Sequence, residues 1–189
     1  VLVHERIDDE FADRLVEAAK AVRYGPPSAE VDMGRLNNAN QLARVSGFLE
    51  RVPDHASVRT GGAADRRDGR YYLQPTVVTG LRQDDEMIQN EIFGPVVTVQ
   101  PFRDEAEALA MANGVAYGLA ASVWTRDYET ALRVSGDLDF GQVWVNCHLI
   151  QPAELPNGGY KHSGHGNDRS FFALDDYTRV KQVTSALPR

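Results

Sequence analysis

The chain has 189 residues, 42% hydrophobic and 25% charged, a balance typical of globular proteins; the length suits one domain with a sizeable core, or two only if both are small. Its net charge of -7, from 20 basic and 27 acidic residues, lacks the cationic excess that neutralises phosphates, so no nucleic-acid partner is expected. No apolar run approaches the ~20 residues of a membrane span, so no membrane partner is expected. The opening VLVHERIDDEF lacks the pattern of a secretory signal, and a single cysteine suits a reducing compartment, so the cytoplasm is the expected location.

Val1 to Val3 reads as a short apolar strand. Asp8 and Asp9 stand where a helix N-cap belongs. Ile7, Phe11, Leu15, Ala18, Ala19 and Val22 then recur at steps of three and four, the stripe of an amphipathic helix that Gly25-Pro26-Pro27 stops. NANQLARVSGFLERV predicts a second helix, with Leu42, Val45, Phe48 and Leu49 facing inward. ASVRTGGAADRRDG reads as a polar loop. YYLQPTVV reads as a strand in which Pro75 argues for a sheet edge or a strand end. PVVTVQPF is a continuous apolar run that predicts a strand buried on both faces. After it come helix DEAEALAMAN, strand LAASVWT, helix DYETALRVSG and strand FGQVWVN. Strands alternating with short helices predict an α/β fold with a parallel sheet. Residues 151–169, rich in Gly, Pro, Asn and Ser, read as a long loop, and DYTRVKQVTSAL alternates as a closing strand.

Residue types alone do not assemble a catalytic set. Cys147 and His148 are chain neighbours, which in an extended segment point to opposite faces and make a poor nucleophile–base pair. Cys147 at a strand end reads as a packing residue. His162 and His165 lie among glycines with no cysteine or carboxylate cluster to complete a ligand set, so no metal site is expected. His4 and His55 stand alone. GHGND begins like G-x-G-x-x-G, but Arg169 takes the sixth place and no buried strand leads into it. No Walker loop or G-x-S-x-G elbow is present.

NEIFGPVVTVQPF, ANGVAYGLAASVWTRD, VWVN, LPNGGYKHSGHG and DDYTRVKQV, in that order, resemble the linked motifs of the aldehyde dehydrogenase superfamily, and the resemblance covers nearly the whole chain. It implies an α/β fold, the parallel-sheet catalytic domain of an aldehyde dehydrogenase, as a single partial domain over residues 1–189. The domain is shortened on its N-terminal side, without the NAD-binding domain, and ends in an oligomerisation strand within residues 173–189. Glu91 matches the glutamate that binds the nicotinamide ribose, and Phe93 the aromatic that positions the nicotinamide. A carboxylate accepts two hydroxyl donors, and an aromatic face holds a planar ring. Without the resemblance, Glu91 reads as a turn cap and Phe93 as core. Residues 147–157 match the wall of the aldehyde pocket, with Leu149, Gln151 and Asn157 at lining positions, while Cys147 is not the family nucleophile. The spacing N-x-H to E-x-P-x-G-G is most similar to aminobutyraldehyde dehydrogenases. Glu154 then faces an ω-ammonium group, or is a rim charge. Asn157 departs from the aromatic that many relatives carry, and DMGRLNN lacks a proline that the family tends to have.

The same resemblance places the nucleophilic cysteine, the general-base glutamate, the oxyanion-stabilising asparagine and the coenzyme domain upstream of Val1. The implied function is the C-terminal portion of an NAD(P)-dependent aldehyde dehydrogenase that is not redox-active by itself and does not hold NAD or NADP tightly. Its expected partners are a small-molecule aldehyde and either the missing N-terminal half or further copies of itself. A homodimer or higher oligomer is expected through the C-terminal strand and exposed sheet. Two alternatives remain. One is a shortened homologue performing non-redox cyclisation or condensation of a small aldehyde or imine, with His148, Glu154 and Tyr160 moving protons. The other is a non-catalytic, partner-binding pseudoenzyme subunit.

Overall fold

The computed structural model describes residues 1–186, and the chain divides into two units, Val1–Gly114 and the residues from Val115 on. The first opens with strand β1 (Leu2–His4) and helix α1 (Asp8–Ala21). A 3-10 turn at Glu5–Ile7, where the His4 imidazole accepts from the Arg6 N–H, stands between them. Asp8 and Asp9 therefore fall in the first helical turn and not at the N-cap, where their charge still complements the positive end of the helix dipole. The helix stops before Gly25, because Val22 is already extended. Helix α2 (Ala39–Glu50) is capped by the Asn38 side chain, which accepts from the Gln41 N–H at 2.9 Å. It buries Leu42, Val45 and Phe48, with Leu49 half-buried beside them.

The stretch read as a polar loop instead holds two strands, β2 (Ser57–Thr60) and β3 (Ala64–Arg67). Strand β3 pairs antiparallel with β4 (Arg70–Leu73). Between them Asp68 and Gly69 both take positive φ, 51° and 70°, the backbone of a tight hairpin turn that Asp-Gly favours. YYLQPTVV is split at Pro75, and its second half forms β5 (Thr76–Thr79). This is no edge strand: it lies antiparallel to β2 and parallel to β6 (Val96–Phe102), in the order β1-β6-β5-β2. Pro75 is tolerated because it precedes the ladder.

Adjacent Val77 and Val78 point to opposite faces. Val77 packs with Val3, Val99 and Val16 of α1, and Val78 packs with Leu42, Val45 and Phe48 of α2. Burial on both faces thus belongs to β5. Strand β6, expected to share it, leaves Val97 37% exposed. Helix α3 (Glu86–Gln89) and helix α4 (Glu105–Asn113), capped by Asp104, complete the unit.

The second unit contains β7 (Tyr117–Gly118), β8 (Ala120–Val123), α5 (Tyr128–Asp137), β9 (Gln142–Val145), β10 (Tyr160–Lys161) and α6 (Ala173–Tyr177). Strands β8 and β9 are parallel, with α5 as their crossover, and β10 returns from the long loop to pair antiparallel with β7. The closing strand is not formed. Residues 173–177 are helical, and 178–186 pair with no strand among the described residues. Alternation specifies a strand only where a neighbouring ladder satisfies its N–H and C=O groups. Residues 187–189 of the expected oligomerisation segment lie outside the described residues. Among the described residues no helix is long and apolar enough to cross a membrane.

Candidate functional site

In the first unit, the loop after α3 is built by alternation. Ile92 is buried in the α2 core, while Glu91 and Phe93 on either side are exposed, Phe93 by 71%. Phe93 is therefore not a core residue. Its φ is +60°, a left-handed backbone that costs a non-glycine residue about 1–3 kcal/mol and persists only where its surroundings impose it. Helix α2 supplies them. Gln41 Nε2 donates to the Phe93 carbonyl at 2.7 Å, and Arg44 Nη2 to the Glu91 carbonyl at 2.5 Å. A Cβ on Gly94 would stand 2.6 Å from Val45 Cγ2, so only glycine lets the loop lie this close to the helix. Arg51 ties α3 to α2 through a two-pronged ion pair with Glu86, at 2.8 and 3.0 Å. Hydrogen bonding from that guanidinium holds the Glu86 carboxyl below its usual range. No described group donates to the Glu91 carboxylate, so it does not cap a turn.

In the second unit, residues 146–151 are pinned to the β8–β9 pair. The Asn146 amide bonds Thr125 in both directions, at 2.9 and 2.8 Å, and Trp144 Nε1 donates to the Ile150 carbonyl at 2.8 Å. His148 Nδ1 meets Ser122 Oγ at 2.5 Å, and the ring packs edge-on against Trp144 with centroids 5.1 Å apart. The imidazole is thus engaged by Ser122, while Cys147 is a half-buried free thiol. Leu149 takes φ +57° and is 68% exposed.

Gln151 and Asn157 are brought together through Gln142. Gln151 Nε2 donates to Gln142 Oε1 at 3.2 Å, and Gln142 Nε2 donates to Asn157 Oδ1. Asn157 also exchanges two backbone hydrogen bonds with Asp168, both 2.8 Å. It lines an open cleft of about 500 Å³ together with Leu119, His165, Asn167, Asp168 and Asp176. His148, Glu154 and Tyr160 are not joined: no hydrogen bond links them, Glu154 is exposed in the turn after Pro152, and Tyr160 sits in β10. Among the described residues no group of three or more His, Cys, Asp or Glu is gathered as for a metal. Sequence reasoning missed Gln41, Arg44, Ser122 and Gln142, whose partners lie far along the chain and leave no local pattern.

The sequence model of the aldehyde dehydrogenase family matches residues 1–183. An aldehyde dehydrogenase of Aspergillus niger is 40% identical over 185 residues, covering 97% of this chain and 37% of that protein. The solved structure of a Bacillus cereus aldehyde dehydrogenase superposes with a TM-score of 0.92 at 39% identity, over 96% of this chain and 37% of its own. A Staphylococcus aureus betaine aldehyde dehydrogenase in complex with NAD+ superposes with a TM-score of 0.89 at 33% identity, over 93% of this chain and 37% of its own. The chain therefore spans about 37% of the length of each of these relatives.

Proposed function

Because the chain belongs to the aldehyde dehydrogenase family, we propose that it is the C-terminal part of the catalytic domain of an enzyme that oxidises an aldehyde to its acid with NAD or NADP. The observation that carries this reading is the loop at Glu91–Phe93. A strained backbone held by Gln41, Arg44 and Gly94 displays one carboxylate and one aromatic ring to the exterior. These residues fit a nicotinamide riboside: the carboxylate accepts the two ribose hydroxyls, and the ring gives a planar base an apolar face. When bound, the coenzyme supplies the hydride acceptor.

The remaining tasks fall to the chain's own side chains. Leu149, Gln151 and Asn157 line the aldehyde site, with Leu149 as its apolar member. Glu154, exposed beside them in sequence, supplies a carboxylate for a cationic end, and an ω-aminoaldehyde is the substrate that this charge suits. Cys147 has a packing role, not a nucleophilic one. The test is made on the protein expressed from the complete coding frame that contains these residues, by following coenzyme reduction over a panel of aldehydes that includes 4-aminobutanal. Losing charged hydrogen bonds of about 1.5–3 kcal/mol, Glu91→Gln is expected to raise the coenzyme KM by about tenfold or more. An active enzyme with an unchanged KM overturns the role of Glu91, and no coenzyme reduction with any aldehyde overturns the activity.

A second, non-redox reading has one observation behind it. Ser122 holds His148 through Nδ1, which leaves Nε2 to exchange a proton with an imine or aldehyde. Mass spectrometry of 4-aminobutanal incubated without coenzyme tests it, and an unchanged rate of cyclisation rules it out.

A further inference from the structure

Three contacts lay residues 86–93 antiparallel along one face of α2. Arg51, the residue that caps the helix, grips Glu86; Arg44 Nη2 donates to the Glu91 carbonyl; and Gln41 Nε2 donates to the Phe93 carbonyl. Gln41, Arg44, Phe48 and Arg51 recur at steps of three and four, a single stripe that spans about 15 Å. Both guanidiniums lie over the Phe48 ring, 5.2 and 5.7 Å from its centroid, which holds the two arms in place. Helix α3 has four residues, too few to be stable by itself, so its place is set by what anchors it. Met87 and Ile92 are buried in the α2 core, but apolar contact is non-directional and does not by itself fix a register. Asp85 meets His55 Nε2 at 2.9 Å, and Gln89 Nε2 donates to the Gly114 carbonyl at 3.1 Å. Of the anchors on α3, the fork of Arg51 on Glu86 is the one that comes from α2.

We propose that Arg51 is a positioning residue for the coenzyme: it sets the register of residues 86–93 on α2, and with it the hold of Glu91 and Phe93 on a nicotinamide riboside. A planar guanidinium that meets a carboxylate with two N–H groups fixes distance and angle together. Arg51 does so at one end of the segment and Gln41 holds the other, so a slip at Glu86 draws the Phe93 carbonyl away from Gln41. The left-handed backbone at Phe93 makes the loop sensitive to such a slip, since it persists only while its surroundings impose it. The Arg51 and Glu86 side chains are 57% and 45% exposed, and an exposed pair adds little to overall stability. Its effect is therefore local, on the loop and not on the core. The consequence for the coenzyme rests on the reading of Glu91 and Phe93 proposed above; the coupling of Arg51 to Phe93 does not.

The test is read on the full chain, through the side-chain amide protons of Gln41 and the backbone amides of Ile88, Gln89 and Asn90, which are bonded at the α3 turn. Arg51→Met keeps an unbranched side chain over Phe48 and removes the charge. It is expected to shift the Gln41 amide protons upfield, as the bond to the Phe93 carbonyl weakens. It is also expected to quicken exchange of the three α3 amides by about fivefold, the scale of one exposed ion pair, with Val77 and Val78 of β5 unchanged. Glu86→Gln breaks the same contact from the α3 side and is expected to do the same, and the double variant no more than either alone. In the protein expressed from the complete coding frame, Arg51→Met is expected to raise the coenzyme KM by about fivefold with kcat unchanged. Unshifted Gln41 protons, β5 amides that quicken as much as those of α3, or additive effects in the double variant overturn Arg51 as a positioning residue. A shifted Gln41 signal with an unchanged coenzyme KM overturns the coenzyme reading of the loop and not its register on α2.

Discussion

The Glu91–Phe93 loop shows how one missing side chain can set a local structure. Gly94 lets the strained backbone lie against Val45, with no room for a Cβ. Gly94→Ala is expected to cost about 1–3 kcal/mol, the usual penalty for overpacking a tight contact, read as a lower urea midpoint with an unchanged slope. Ser122→Ala removes the partner of the His148 imidazole. It is expected to lower stability by about 0.5–1.5 kcal/mol and to change Trp144 fluorescence, since the freed ring packs against that indole. Cys147→Ala is expected to leave coenzyme reduction in the complete protein intact, and lost turnover would make the thiol a participant in catalysis. Glu91, Phe93, Leu149, Gln151, Asn157 and Glu154 were legible as candidates through linked motifs. The groups that hold them were not, because Gln41 and Arg44 act on a loop about fifty residues away.

At the scale of elements, the segment after α1 is closed by a backbone bridge between Tyr24 and Met33 and by one ion pair. Arg23 gives its backbone N–H and two guanidinium N–H groups to Asp32, at 2.9, 3.1 and 3.0 Å. These bonds lower the Asp32 pKa from 3.8 to about 2. A carboxyl depressed in the folded state stabilises it above the unfolded pKa and ceases to do so as pH falls through the folded one. Residues 23–33 are therefore expected to loosen between pH 3.8 and about 2, read as faster amide exchange. Asp32→Asn should remove that dependence, leaving the segment held by its backbone bridge alone at every pH. The helices were legible from their apolar spacing, whereas the caps Asn38, Asp104 and Asp127, each of which accepts an N–H of the first turn, emerged only in the structure. The hairpin β3–β4 was not, because charge and glycine content masked Asp68-Gly69, a turn signal in its own right. Gly69 has open space around it but a φ of +70°, so Gly69→Ala is expected to cost about 1–2 kcal/mol through backbone strain alone.

For the whole molecule, burial is unevenly shared. Among the described residues, both apolar clusters of the core lie within residues 1–114. Of the buried apolar residues described, only Ala131 and Trp144 come from the second unit. Residues 1–114 expressed alone are expected to unfold cooperatively, whereas residues 115–189 alone are expected to bind hydrophobic dyes and lack a sharp transition. A noncooperative first unit would show that its core depends on the rest. The second unit also exposes Phe171, Phe172, Leu174, Tyr177, Val180 and Val183. We propose that this stretch packs against a further copy of the chain, with a monodisperse monomer in light scattering as the refuting result.

Membership of the aldehyde dehydrogenase family, the α/β class and the identity of most helices were determined by the sequence itself. Motifs at fixed spacing and apolar periodicity are local properties of the chain. The central place of β5, the clamp on Glu91 and Phe93, the Ser122–His148 contact and the amide chain through Gln142 were decided only by tertiary structure. Each depends on which distant backbone closes on which side chain, and hydrogen bonds between residues far apart leave no periodicity to read. The closing segment marks the same boundary: its alternation is written in the sequence, but a strand exists only where another edge receives it.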